Sequence, residues 1–244
     1  MTNMEDKKSE LQVLYRDDHL VAIHKPSGLL VHKSSIDAYE TEYAVQKLRD
    51  QIGQRVYPLH RLDKPTSGLL LFALHPEAVR VFSSLFQSQK IEKTYMAVVR
   101  GYTEPMGLID YPLSDEINLD ANARPAITRY TLLHKVELEY PVGRYNTTRY
   151  SIVAVHPETG RRHQIRRHFK HIFHPIIGDT THGDGKHNQF FRETWNCNRL
   201  MLAATEVSFI HPYTGKKLKI ESPLENSFSR ILTKLGWNTL EDEY

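Results

Sequence analysis

Leu69-Leu70-Leu71-Phe72-Ala73-Leu74 is an uninterrupted apolar run with breakers on both sides, Pro65 and Gly68 before it and Pro76 after it. A run this apolar and this short does not alternate between core and solvent, so it is expected as a strand buried on both faces. A strand covered on both faces implies a sheet with further layers against it. Pro76 opens a helix expected to reach residue 89, with Val79, Phe82, Leu85 and Phe86 on one face. Upstream, 11–15 and 20–25 read as short strands around a turn at Asp17-Asp18. The spacing of Ala44, Val45, Leu48 and Ile52 predicts a helix over 43–52 that stops at Gly53, and 57–62 reads as extended. Downstream, 94–99, 108–113, 127–138, 149–155, 200–210 and 217–221 are strand-like, with helices expected over 160–172 and 228–235. Strands in runs with few helices interposed give an α+β class: a mainly antiparallel mixed sheet with flanking helices.

The chain has 244 residues, enough for a substantial core in one domain, expected over 11–244 behind a flexible polar tail at 1–10. A net charge of +3 decides nothing about partners, so the distribution of charge has to be read instead. Cys197 is the single cysteine and excludes an intrachain disulfide, which suits the cytoplasm. No apolar run approaches membrane-spanning length, and 1–10 lacks the apolar core of a signal peptide. Asn146-Thr147-Thr148 matches a glycosylation acceptor, a chance match in a cytoplasmic chain.

Two stretches carry chemistry. In His60-Arg61-Leu62-Asp63-Lys64-Pro65-Thr66-Ser67-Gly68, Asp63 ends an extended segment and enters a loop held by rigid flanks, a favoured setting for a catalytic group. Taken alone, an aspartate before Thr and Ser reads more readily as a turn cap. Gly160-Arg161-Arg162-His163-Gln164-Ile165-Arg166-Arg167-His168-Phe169-Lys170 holds five Arg or Lys and no acid. On a helix Arg162, Arg166 and Lys170 fall four apart, and like charges so placed call for an external anion, with RNA phosphate the leading candidate. Histidines 163, 168, 171, 174, 182 and 187 do not follow a standard zinc spacing, so no metal is expected. There is no phosphate-cradling loop and no dinucleotide fingerprint. Asp179, in a glycine-rich stretch over 178–185, reads as a loop residue able to shape a site's rim.

The stretch at 60–68 resembles the central motif of the RluA-type pseudouridine synthases. Three companions follow the family's order: Lys25-Pro26-Ser27-Gly28, with His24 where an asparagine is common; Lys93-Thr94-Tyr95-Met96-Ala97-Val98-Val99; and Gly160 to Arg166 with His174-Pro175-Ile176-Ile177-Gly178-Asp179. The likeness spans residues 11–220. One departure is Ala203, where the family usually has histidine. Within the family, Tyr145-Asn146-Thr147-Thr148-Arg149-Tyr150 and residues 178–184 are similar to the branch acting on uridine 65 of tRNA. Nothing resembles the small N-terminal RNA-binding (S4) domain of several relatives.

The resemblance implies a pseudouridine synthase fold and a tRNA substrate; a monomer is expected, with no cofactor and no membrane or DNA partner. It implies Asp63 as the essential carboxylate, Arg166 as the cation paired with it, and Tyr95 as the residue packed on the uracil ring. It further implies RNA contacts from His60, Arg61, Arg161, Arg162, Arg167 and Lys170, with Arg61 filling the gap left by a flipped nucleotide or holding the flipped strand. Modification of ribosomal RNA, or RNA binding without catalysis, are the competing readings.

Overall fold

The computed structural model describes residues 10–33, 41–116 and 122–237. The expected tail, Glu10 apart, lies outside the described residues. Leu69 to Phe72 are completely buried, as the apolar run requires, and each contributes about 1.5–3 kcal/mol by leaving water. They belong to β4 (Ser67–Ala73), all seven residues of which are buried. Among the described residues β4 stands inside one ten-stranded sheet. Its order is β1 (Val13–Arg16), β2 (Leu20–Lys25), β4, β9 (Leu202–Ile210), β5 (Glu92–Arg100), β8 (Thr148–Pro157), β7 (Ile127–Leu138) and β6 (Met106–Asp110). The short β3 (Tyr57–Pro58) pairs with β4, and β10 (Lys217–Glu221) with β9. Every strand pairing is antiparallel except β4 with β9. The α+β class with a mixed, mainly antiparallel sheet is what the residue pattern predicted.

The helices α1 (Ala44–Ile52) and α2 (Pro76–Gln87) bury Leu48 and Phe82 in one core with β2 and β4. A second core gathers β5, β8, α3 (Gln164–His171) and α5 (Asn226–Lys234). Tyr95 on β5 packs against both, so it marks the seam between the two halves. No described helix is long and apolar enough to cross a membrane.

Three local expectations differ. The extended stretch at 57–62 is a strand only at Tyr57 and Pro58, with one more backbone bond from the Leu59 N–H to the Leu71 carbonyl, and the rest is loop. The helix expected from 160 starts at Gln164, because His163 adopts left-handed backbone angles (φ 52°) and the Gln164 carboxamide accepts from the Arg161 N–H and the Thr159 hydroxyl. The stretch after 184, not anticipated as helical, forms α4 (Gly185–Trp195). Its start signal is the Asp184 carboxylate, which accepts from the N–H groups of Lys186 and His187; Gly185 in the first turn hides it.

The parallel pairing sets Ser67 against Ala203 and Gly68 against Ala204. Gly68 has φ 106°, and a Cβ there would stand 2.0 Å from the Ala204 carbonyl oxygen. Ala203 also faces Met96 of β5 and is buried, so this departure from the family pattern fills a tight central position with the smallest side chain that packs there. Gly68→Ala is expected to cost at least ~3 kcal/mol through backbone overpacking and positive φ, read as a fall in Tm or in denaturant midpoint. Unchanged unfolding would contradict the close approach of the two strands.

Candidate active site

Asp63 lies on the loop between β3 and β4, and the motif at 25–28 anchors that loop. The Gly28 N–H donates to the Lys64 carbonyl at 2.8 Å, and the Ser27 hydroxyl donates to the Pro65 carbonyl at 2.8 Å. Lys25 is completely buried, and its ammonium donates to the carbonyls of Pro26, Leu29 and Lys64 at 2.8–3.1 Å. Three donors meet three acceptors, which satisfies an ammonium held away from water. Burial pulls Lys25 down to about 7, against the opposing pull of Glu225 and Asp63. On the far side, Arg199 donates to the Ser67 hydroxyl at 2.6 Å and pairs with Glu225. Glu225 also accepts from the Ser27 N–H, so one network ties the C-terminal segment to both motifs.

The Asp63 carboxylate does not cap its own turn; only its carbonyl does, accepting from the Thr66 N–H at 3.0 Å. The side chain faces α3, where Arg166 Nη1 donates to Asp63 Oδ2 at 3.1 Å. Arg166 is held from the other side by Asp179, with Nε to Oδ2 at 2.7 Å and Nη2 to Oδ1 at 2.8 Å. Arg166 is 4% exposed and Asp179 2%. A two-pronged bond of this kind fixes the plane of the guanidinium as well as its position. Burial disfavours the charge on Arg166, but the bonds to Asp179 and the charges of both carboxylates more than offset it. Burial likewise pushes Asp179 up, and the Arg166 bonds with the His182 and Thr181 N–H groups bring it below the ordinary range. The turn-capping aspartate is therefore Asp179. Sequence reasoning saw it only as a rim residue; its signal was the Asp-Thr-Thr-His turn that the carboxylate closes.

A cavity of about 560 Å³ opens beside Asp63, with Arg61, Tyr95, His163, Arg166 and Leu202 among its lining. The volume suits a nucleoside-sized ligand, within the roughly 300–1,000 Å³ of small-molecule sites. Burial, reinforced by the charge of Asp63, raises the Tyr95 phenol well above its ordinary value, so Tyr95 is a neutral hydroxyl. A second cavity of about 630 Å³ shares Arg61, Asp63 and His163 and adds Lys33, Arg124 and Arg167. Arg61 is exposed at the boundary of the two.

The expected RNA contacts divide on inspection. Arg161, Arg162 and Arg167 line the second cavity. His60 is not a cation for phosphate: its Nε2 accepts from the Leu71 N–H at 3.1 Å, and burial, with Lys93 nearby, holds the ring down at about 3. Lys170 is exposed and lines neither cavity, since the last turn of α3 leads away from Asp63. The anion expected to compensate the basic helix is partly internal. Asp63 and Asp179 serve Arg166, and Glu116, from the segment after β6, serves Arg162 and Arg167 at 3.4 and 3.8 Å. Glu116 is far off in sequence, and nothing in the local pattern announced it.

Glu116, His163 and His182 bring one ligand atom each within 4.8 Å of one another, a grouping the histidine spacing did not suggest. Among the described residues these three are the set able to hold a cation, but the guanidinium groups of Arg162 and Arg167 on the same carboxylate oppose a further positive charge.

Comparison with known proteins gives the frame for this geometry. The sequence profile of the RNA pseudouridylate synthases matches residues 19–171. The chain belongs to that family. It is 48% identical over 235 residues to the tRNA pseudouridine synthase C of Vibrio cholerae, covering 93% of this chain and 96% of that one. It is 50% identical over 236 residues to the protein of the same name from Haemophilus ducreyi, covering 94% and 97%. Among solved structures, human RNA pseudouridylate synthase domain containing 4 superposes with a TM-score of 0.69 at 22% identity, covering 92% of this chain and 93% of that one. That likeness bears on the fold, and the fold is the family's.

The wall of this cavity therefore rests on Arg166 bridging two carboxylates. Arg166→Lys keeps the charge but loses the fork, and kcat is expected to fall on the order of 10²-fold, with KM changed much less. Asp179→Asn leaves a buried guanidinium short of its anion and is expected to cost about 3–5 kcal/mol. Because Asp179 lies below the ordinary 3.8 in the fold, its contribution is complete above about pH 4 and drains away as pH falls through the lower folded value. Thermal melts of the parent and Asp179→Asn should converge on acidification; a constant gap across that range would contradict the pairing.

Proposed function

We propose that this chain isomerises uridine to pseudouridine in tRNA, with Asp63 as the essential carboxylate. The observation that carries the reading is the Asp63–Arg166–Asp179 arrangement at the wall of a nucleoside-sized cavity edged by Tyr95. Both relatives compared above bear the name of a tRNA enzyme, which supports tRNA as the substrate.

The reaction breaks the bond from uracil N1 to C1′ of the sugar and forms one from C5 to C1′. The C5 proton leaves and N1 gains one, so no redox partner or group donor is required. A carboxylate beside C1′ serves equally for attack on that carbon or removal of a sugar proton. Arg166 orients Asp63 for it and supplies the neighbouring positive charge. The cavity retains the detached base, and Tyr95 offers a flat neutral face against it. Relay of the C5 proton through its hydroxyl then requires Tyr95 to pass its own proton on, because burial keeps the phenol protonated.

A uridine in paired RNA is unreachable in the deep A-form groove, so it must be extruded at roughly a few kcal/mol. Arg61, exposed where the two cavities meet, occupies the gap it leaves. Arg161, Arg162 and Arg167 hold phosphates along the second cavity, Lys170 meets backbone further along α3, and His60 supports the loop from within. The target is uridine 65, on the likeness at 145–150 and 178–184. The enzyme works as a monomer in the cytoplasm, where Cys197 stays reduced.

Asp63→Asn is expected to lower conversion in a tRNA transcript by at least about 10³-fold while RNA binding persists. Undiminished conversion would remove Asp63 from the chemistry. Parallel incubation with tRNA and rRNA transcripts, followed by mapping of the modified position, is expected to give modification of tRNA alone. Modification confined to rRNA would overturn the substrate.

A further inference from the structure

We propose that Arg162, His163, Arg167 and His182 form a subsite for an RNA backbone phosphodiester, which the Glu116 carboxylate fills as a stand-in until RNA displaces it. The inference rests on the reading that this face binds RNA, and adds the displaced group and two histidines.

Four basic side chains converge on one carboxylate. His163 Nδ1 lies 2.9 Å from Oε2 and His182 Nε2 3.3 Å from Oε1, with Arg162 Nε 3.4 Å from Oε2 and Arg167 Nε 3.8 Å from Oε1. Proximity here is not good bonding. Oε2 is buried with no aligned hydrogen-bond partner. The contrast with Asp179 is direct, since that carboxylate takes two aligned bonds from Arg166 at 2.7 and 2.8 Å and two further backbone N–H groups at 2.9 Å. One carboxylate is built in; the other fits loosely among two guanidinium groups and two imidazoles, whose facing nitrogens, His163 Nδ1 and His182 Nε2, lie 3.1 Å apart and bond to each other. Partly exposed pairs of such geometry are weak and cheaply exchanged.

The exchange is balanced in charge. A phosphodiester carries one negative charge on two non-bridging oxygens, as a carboxylate does, and its tetrahedral spread reaches donors on several sides. Arg167 is already steered there by bonds from its guanidinium to the Ser114 carbonyl and hydroxyl at 2.9 and 3.3 Å. His163 is aimed by its left-handed backbone, an uncommon state for a non-glycine residue and one often found at functional sites. Its position fixes which phosphate is meant. Nδ1 faces Glu116 while Nε2 lies 3.9 Å from Asp63 Oδ2. The subsite is thus one imidazole away from the reacting carboxylate, at the reach of a phosphate adjoining the target nucleotide.

In this arrangement Glu116 screens the basic cluster from anions that do not deliver a nucleotide to Asp63, and so acts on affinity and selectivity. The test uses the full chain carrying Asp63→Asn, so that bound tRNA is not converted, with binding measured by fluorescence anisotropy from ~50 to ~300 mM salt. Adding Glu116→Gln is expected to tighten tRNA binding about fivefold at ~0.1 M salt and to steepen the slope of log affinity against log salt by about one. Glu116→Asp, which keeps the charge, is expected to bind as the parent does. Equal or weaker binding by Glu116→Gln in a protein with parental thermal unfolding, or equal tightening by Glu116→Asp, would overturn the stand-in role. Arg162→Gln with Arg167→Gln is expected to weaken binding at least about tenfold and to abolish the gain from Glu116→Gln. Parental binding by the arginine variant would overturn the RNA reading of this face. Weakened binding without any gain from Glu116→Gln would overturn the displacement alone. Inorganic phosphate at matched ionic strength is expected not to compete; competition would reassign the subsite to the free ion.

Discussion

Arg166 is a cation almost without solvent, and the site is organised around the need to neutralise it. A buried guanidinium without anions would cost several kcal/mol, so two carboxylates from different parts of the chain are drawn to it. Asp179 takes two of its prongs and, through its other lone pairs, closes the 179–182 turn. The remaining prong meets Asp63, 103 positions earlier. The orientation of the Asp63 carboxylate is therefore set through Arg166 by Asp179, which itself makes no bond to Asp63. Lys25 repeats the logic on the opposite flank, where a buried ammonium with three carbonyl acceptors fixes the backbone just after Asp63.

Much of the architecture was legible in the residue pattern, and the reasons are specific. The run at 69–74 admits burial on both faces and little else, and β4 is where it was expected. The helix at 44–52 has its apolar spacing and its stop at Gly53, which adopts left-handed angles. By contrast α4 was missed because its stabilising features are an aspartate cap and aromatic packing of Phe190, Phe191 and Trp195, with a glycine in the first turn and little apolar periodicity. The start of α3 was misplaced because His163 takes a backbone conformation that its residue type does not announce.

The site was legible to the extent that its motifs are. Asp63, Tyr95 and Arg166 come together at one cavity, as the family likeness implied. What could not be read was pairing between segments. The basic stretch has no acid within it, and only the fold brings Glu116 across to it from the segment after β6. The charge state of His60 was equally hidden, because it depends on burial and on the Leu71 N–H of a neighbouring strand. Local sequence reports charge, whereas neutralisation is a tertiary property.

The place of β9 in the sheet bears on biosynthesis. It lies between β4 and β5, the two strands that flank the site, yet it begins only at Leu202. While a ribosome is still making residues before it, β4 and β5 have been made but lack the strand that joins them, and the two hydrophobic cores lack their shared seam. Pairing across such long sequence separations forms late, since loop closure must precede its reward. An emerging chain can hold the anchor at 25–28 against the loop at 63–66, but the seam carrying Tyr95 closes only after β9 arrives. A chain broken off before residue 202 would thus keep Asp63, Tyr95 and Arg166 but lack the strand that joins β4 to β5.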